Sequence, residues 1–340
     1  MRRKKHSSLL SKFFNFIFTT LLVVVTACGI QIYCNAAGLG SSANTLKFAQ
    51  VSDNHLSTDT VNKAYRLTAQ SGQLLDDAIE VINQTPNLDF VFFTGDIIDV
   101  PFEKNMKLFF EHANKLKYPY YAVPGNHDLC LGGYLNRRLY VQLMNEYNKT
   151  YKFNKTYYSF TPKVGFKVIA LDPIIDTRLT AQGELPEEQL EFLDKELASA
   201  GNNTVLIFMH VPLKQPFSSD SHRLVNADEM YSILKKYNNP IGLFTGHYHT
   251  TKVTKEGNLV HVSTPALISY PNAFRFVTVH NYKNKSVFEI QYMPTRLHEF
   301  FICAWITTSY ASKFNFKFFV HYLLSPFGIV IVTVLSFSSP

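Results

Sequence analysis

Between residues 46 and 293, short apolar runs alternate with longer segments whose apolar positions recur every three or four residues. The runs at 46–51, 88–93, 120–123, 205–209 and 241–244 are too short for helices, and their composition predicts buried strands. Residues 61–84 place Leu67, Leu74, Leu75, Ala78, Ile79 and Ile82 at helical spacing and predict a helix. Further helices are predicted over 103–117, 133–147, 186–200 and 228–237. Pro186 takes a favoured first helical position, and Glu187 and Glu188 follow in the first turn, where the helix dipole favours acids. The opening order strand–helix–strand–helix–strand implies parallel pairing through right-handed crossovers, an α/β fold. Residues 157–160 and 166–171 flank Pro162-Lys163-Val164-Gly165 as a hairpin, and 252–254 and 259–262 pair around Glu256-Gly257-Asn258. Strands at 274–280 and 286–292, joined by an Asn-Lys turn, complete this body.

The polar residues that close these runs carry the chemistry. Ser52-Asp53-Asn54-His55 ends the first, Thr94-Gly95-Asp96 the second and Gly125-Asn126-His127-Asp128 the third. His210 ends the fourth, and Thr245-Gly246-His247-Tyr248-His249 the fifth. In an α/β sheet such ends gather on one edge, where ligands bind. Residues two apart on a strand point the same way, so Asp53-x-His55 and His247-x-His249 are each expected to aim two side chains at one point. Carboxylate, imidazole and amide without cysteine suit a hard or borderline divalent ion such as Mn, Fe or Zn.

The termini differ from the body. Residues 1–12 are basic and 13–33 carry no charge, the pattern of an export signal or membrane anchor. Val25-Thr26-Ala27-Cys28 resembles a lipoprotein cleavage box, and 13–33 is also long enough to span a bilayer uncut. Residues 1–45 are therefore expected to be a signal peptide or anchor plus a flexible linker. The body is expected outside the cytoplasm, membrane-anchored as a lipoprotein or by an N-terminal span, or secreted. Residues 294–340 form an aromatic-rich tail with an uncharged stretch at 318–337. It reads as a membrane hairpin or anchor, a hydrophobic cover on the body, or an out-of-frame read-through product. The formal charge of +7 lies in these ends, five positives in 1–45 and a net two in 294–340, which leaves 46–293 neutral. No nucleic-acid partner is expected of a neutral body. Cys28, Cys34, Cys130 and Cys303 show no paired or metal-ligand spacing.

Taken in order, Asp53-x-His55, Gly95-Asp96, Gly125-Asn126-His127-Asp128, His210 and Gly246-His247-x-His249 resemble the signature series of the calcineurin-like metallophosphoesterases, in the style of class III cyclic-nucleotide phosphodiesterases. The resemblance covers roughly 46–293. It implies two facing mixed β-sheets flanked by helices, a four-layer αββα sandwich, around two divalent ions. Carried over, Asp53, His55 and His249 would hold one ion, Asn126, His210 and His247 the other, and Asp96 would bridge. His127 would be the catalytic proton donor, with Asp128 orienting it. The implied activity is hydrolysis of a phosphodiester or phosphomonoester, small or lipid-linked, by a two-metal-activated hydroxide. The alternative is a non-catalytic metal-binding scaffold of the same fold. Asp99 is expected either behind a ligand histidine or as a helix cap, and Tyr248 beside the cleft. Asn54 is read as facing substrate or turning the chain, Arg137 and Arg138 as meeting a substrate phosphate or forming a solvated pair, and His222, His261 and His280 as ordinary histidines.

Overall fold

A computed structural model describes residues 44–129, 134–282 and 285–297, and the backbone of 332–338. The chain divides into the units Met1–Asn44 and Thr45–Pro340, and every described residue other than Asn44 belongs to the second. The candidate export segment, its Cys28, and the tail outside 294–297 and 332–338 lie outside the described residues. Among the described residues no helix is long and apolar enough to cross a membrane.

Two six-stranded mixed sheets carry the fold. In the first, β1 (Asn44–Val51), β2 (Phe90–Thr94) and β3 (Tyr120–Val123) are parallel. On the other side of β1 come β10 (Ala273–Tyr282), β11 (Lys285–Pro294) and β12 (Val332–Ser338), with β11 antiparallel to both its neighbours. The second sheet runs β4 (Tyr158–Phe160), β5 (Phe166–Ala170), β6 (Thr204–Phe208), β7 (Ile241–Thr245), β9 (Leu259–Ser263), β8 (Lys252–Glu256). Its inner four are parallel and its edges antiparallel. The predicted hairpins at β4–β5, β8–β9 and β10–β11 are all present. Within the stretch 318–337, residues 332–337 belong to an edge strand paired with β11.

Phenylalanines fasten the sheets face to face. Phe92 of β2 stacks on Phe208 of β6 with ring centres 3.9 Å apart, and Phe48 of β1 meets Phe244 of β7 edge-on at 5.1 Å. Helices α1 (Ser71–Gln84), α2 (Glu103–Ala113), α3 (Arg137–Tyr147), α4 (Glu187–Ala198) and α5 (Ala227–Leu234) bury one face each. Towards the C-terminal strand ends, Gln50 replaces the apolar filling. Its amide donates to Thr94 Oγ1 and Thr245 O, and its oxygen accepts from Thr264 Oγ1. This ties β1, β2 and β7 together immediately below the polar edge.

The first helix is shorter than its sequence suggests. Predicted over 61–84, it begins only at Ser71. Residues 57–67 form an irregular loop, with Ala64 at φ +52 and Lys63 bridged to Arg66, before a 3-10 turn at Thr68–Gln70. Every residue that carries the apolar stripe, apart from Leu67, falls after Ser71, so the upstream extension had no burial to support it.

Candidate metal centre

The sequence-selected residues meet at the ends of β1, β2, β3, β6 and β7, but not by strand alternation. They lie past the strand ends, in turns. Asp53, His55, Asp96, His247 and His249 all have left-handed backbones, with φ between +41 and +72. Among the described residues only three other non-glycines do so, Ala64, Asn87 and Asn272. A left-handed residue reverses the chain within one step and folds the flanking side chains inward. The conformation is costly for a residue with a Cβ, though Asp and His tolerate it better than most. The turns are laced together by backbone bonds: Asp53 N to Gly95 O (3.1 Å), His55 N to Asp96 O (2.9 Å) and Gly246 N to His210 O (3.1 Å). Two glycines permit the close approach. A Cβ on Gly125 would run into the backbone nitrogen and carboxylate of Asp96, and one on Gly246 into the side chains of Ser52 and Asp53.

Two donor groups result, sharing Asp96. In one, His55 Nε2 lies 3.5 Å from Asp96 Oδ2 and 3.3 Å from His249 Nε2, which is itself 3.3 Å from Asp53 Oδ1. In the other, His210 Nε2 lies 3.3 Å from Asp96 Oδ2 and 3.2 Å from His247 Nδ1. Two of the rings are fixed from behind through their other nitrogen. His210 Nδ1 donates to Thr94 O at 2.8 Å, and His249 Nδ1 lies 2.9 Å from Ser269 Oγ. Burial alone would raise the Asp96 carboxyl, but His210, His127 and His55 hold it well below the usual carboxylate range. Burial likewise opposes ionisation of Asp53, and His249 and His210 overcome it, bringing the carboxyl to about 2. Both carboxylates are thus charged ligand groups in a buried setting.

A model of the calcineurin-like phosphoesterases matches residues 46–251. The chain belongs to that family. This phosphoesterase is thereby a hydrolase of phosphoric esters. It is 28% identical over 208 residues to a probable glycerophosphodiester phosphodiesterase of Arcobacter nitrofigilis, covering 60% of this chain and 72% of the relative. It is 27% identical over 275 residues to a probable cyclic nucleotide phosphodiesterase of Coxiella burnetii, covering 77% and 98%. The fold resembles a dimetal phosphatase from Danio rerio at TM-score 0.55 and 19% identity, covering 72% of this chain and 95% of that one.

The donors fit the family's two ions. Asn126 Oδ1 and His247 Nε2 are buried without a hydrogen-bond partner, an arrangement that wastes polar groups unless something electropositive or a donor completes it. Asp96 stands in both groups, as a shared ligand must.

Asp128 does not orient His127. Its buried carboxylate accepts backbone N–H bonds from Gly125 (2.7 Å), Ile98 (3.0 Å) and Ile97 (3.3 Å), pinning the β2 turn to the β3 turn. Burial and the neighbouring Asp96 push its carboxyl up to about 8, against donors that favour the charged form. The imidazole of His127 instead donates from Nδ1 to the backbone oxygen of Asp99 at 2.8 Å. The Asp99 side chain stands 3.5 Å from His55 Nδ1 and is paired with Lys63 (2.8 Å) and Arg66 (3.2 Å). Neither cation was singled out by sequence, because a helix over 61–84 would leave both on an ordinary solvated turn. Arg137 is engaged by Asp172 and Asp176, and Asn54 donates across to Ile97 O in the turn after β2. His222 is no ordinary surface histidine: its ring centre lies 5.1 Å from that of His247, on a rim that also holds Tyr248.

Proposed function

We propose that this phosphoesterase hydrolyses a small phosphodiester with two divalent ions. Asp53, His55 and His249 would hold the first, Asn126, His210 and His247 the second, and Asp96 both. Bound there, the ions would supply Lewis-acid charge for phosphate oxygens and lower the pKa of an attacking water towards neutrality. The chain's own part is to set direction. Thr94 O and Ser269 Oγ fix which nitrogen of His210 and His249 faces the centre. Asp99 O holds His127 with Nε2 turned to the leaving side. The water oxygen forms the new P–O bond as its proton passes to solvent, and the ester P–O bond breaks. The departing oxygen is protonated by His127 Nε2 in the doubly protonated ring, whose other hydrogen stays on Nδ1 against Asp99 O. The carrying observation is the pair of donor groups joined through Asp96.

The diester class is supported by the activities for which the two relatives are named. An oxygen- and imidazole-rich donor set without thiolate suits Mn, Fe or Zn. The basic residues 1–12 followed by the uncharged 13–33 support a membrane-tethered domain outside the cytoplasm. Protease accessibility on intact cells tests that placement.

Full-length protein loaded with Mn²⁺ should cleave bis-p-nitrophenyl phosphate faster than the monoester. Chelation with EDTA should stop the reaction, and re-addition of Mn²⁺ should restore it. Turnover that survives thorough chelation, or metal uptake with no turnover on a broad phosphoester panel, rules this reading out; the second result favours a scaffold.

A further inference from the structure

Beside the ligand cluster, the loop 57–67 carries a cation that the ion-binding groups do not use. Arg66 Nη1 lies 3.1 Å from His127 Nε2, 3.3 Å from His55 Nδ1 and 3.2 Å from Asp99 Oδ1. The loop is anchored at both ends, by Ser57 N to Ser71 Oγ (3.1 Å) and by Leu67 N to Ile268 O (2.9 Å). Asp99 is buried, and Lys63 already supplies it with a cation at 2.8 Å. Arg66 is therefore a second positive charge on that carboxylate, and its side chain keeps 19% of its surface open to solvent.

The hydrogen bonds define what the guanidinium does. Asp99 O can only accept, so His127 Nδ1 carries the hydrogen there; Arg66 Nη1 lies 3.1 Å from Nε2 and 3.4 Å from Nδ1, over the face of the imidazole. An imidazole face is a poor partner for a guanidinium compared with a phosphate, whose paired oxygens match the planar fork. We infer that Arg66 is a substrate-phosphate ligand. It moves from the His127 ring to a non-bridging phosphate oxygen as the ester binds, and removal of that positive charge from the imidazole lets Nε2 take up from solvent the proton it passes to the leaving oxygen. Asp99 is its positioning residue. The role given to His127 rests on the phosphoesterase reading; the anion-binding role of Arg66 does not.

The test uses full-length Mn²⁺-loaded protein and its Arg66→Ala, Arg66→Gln and Arg66→Lys variants. Two quantities are followed, the affinity for inorganic phosphate by calorimetry and kcat/KM on bis-p-nitrophenyl phosphate, with bound Mn²⁺ counted in each variant. Expected are a phosphate affinity weakened at least about tenfold and a kcat/KM reduced about a hundredfold in the Ala and Gln variants, with unchanged Mn²⁺ content. The Lys variant should recover part of both, and added guanidinium ion should partly restore the Ala variant. Phosphate affinity within about twofold of wild type in the Ala and Gln variants overturns the inference, and so does a loss of activity that tracks loss of Mn²⁺. A wild-type protein that turns over nothing, yet binds phosphate in an Arg66-dependent way, sinks the phosphoesterase reading and leaves Arg66 standing as an anion ligand.

Discussion

The backbone N–H of His127 donates to Asp96 Oδ1 across 2.7 Å, while the other oxygen of the same carboxylate faces His210 and His55. One side chain thus sets the β3 turn and joins the two donor groups. Asp96→Asn keeps the hydrogen-bond acceptor but removes the charge. It should lower kcat by at least about 10²-fold and reduce bound Mn²⁺ below that of wild type. A variant with full occupancy and normal turnover would remove Asp96 from the centre of the scheme.

Asp128 predicts a different phenotype. Ile98 N–H goes to one carboxylate oxygen and those of Ile97 and Gly125 to the other, so the NH₂ of Asp128→Asn must face at least one of these donors and should cost roughly 1–3 kcal/mol of stability. Denaturant titration measures it. Activity should fall only as far as the turns carrying Asp96 and Asn126 loosen, and high Mn²⁺ should recover it. A normal stability with a shifted pH–rate profile would return Asp128 to the role of orienting His127.

Ser269 supports His249 from behind at 2.9 Å. Ser269→Ala leaves the ligand nitrogen in place but frees the ring to turn. Mn²⁺ affinity should drop about tenfold, within the range seen when such outer partners are lost, with kcat restored at saturating metal. Equilibrium dialysis decides it, and an unchanged affinity would show that packing alone orients the ring.

His261 governs part of the acid stability. It is buried on β9, its Nε2 3.2 Å from Thr245 Oγ1, and burial first, then the charges of Lys214 and Lys252, push it down to about 3 from an ordinary 6.5. Below the ordinary value the unfolded chain takes up a proton that the folded chain refuses. The contribution of the neutral ring is therefore complete above pH 6.5 and is lost progressively as pH falls towards about 3. In metal-free protein, His261→Gln should lose less stability between pH 7 and pH 4 than wild type, by about 3 kcal/mol. Parallel stability curves for the two proteins would refute this.

Strand ends were legible in the sequence because each apolar run stops at a polar cluster, and the same punctuation marked both the strands and the ligands. Tyr120–Val123 matches its predicted bounds. What the pattern could not show was how Asp53 and His55 converge. Alternation assumes an extended chain, and these residues sit in left-handed turns, which leave no periodic trace. Nor could it show partners supplied by main chain: Thr94 O behind His210, Asp99 O behind His127, and the amides on Asp128. Backbone groups are the same in every residue. Arg66 and Lys63 were hidden for another reason, since a strong apolar stripe in α1 drew the predicted helix back over an aperiodic loop.

The left-handed turns have an implication for how substitutions would score. A comprehensive mutational scan read out by protein abundance should reward glycine or asparagine at 55, 247 and 249, each relieving roughly 1 kcal/mol of local conformational penalty. The same scan read out by turnover should reject nearly all of them. At these three positions the two maps would carry opposite signs, whereas at core residues such as Phe92 or Phe208, and at Asp53 and Asp96, whose carboxylates also hold the turns together, they would agree.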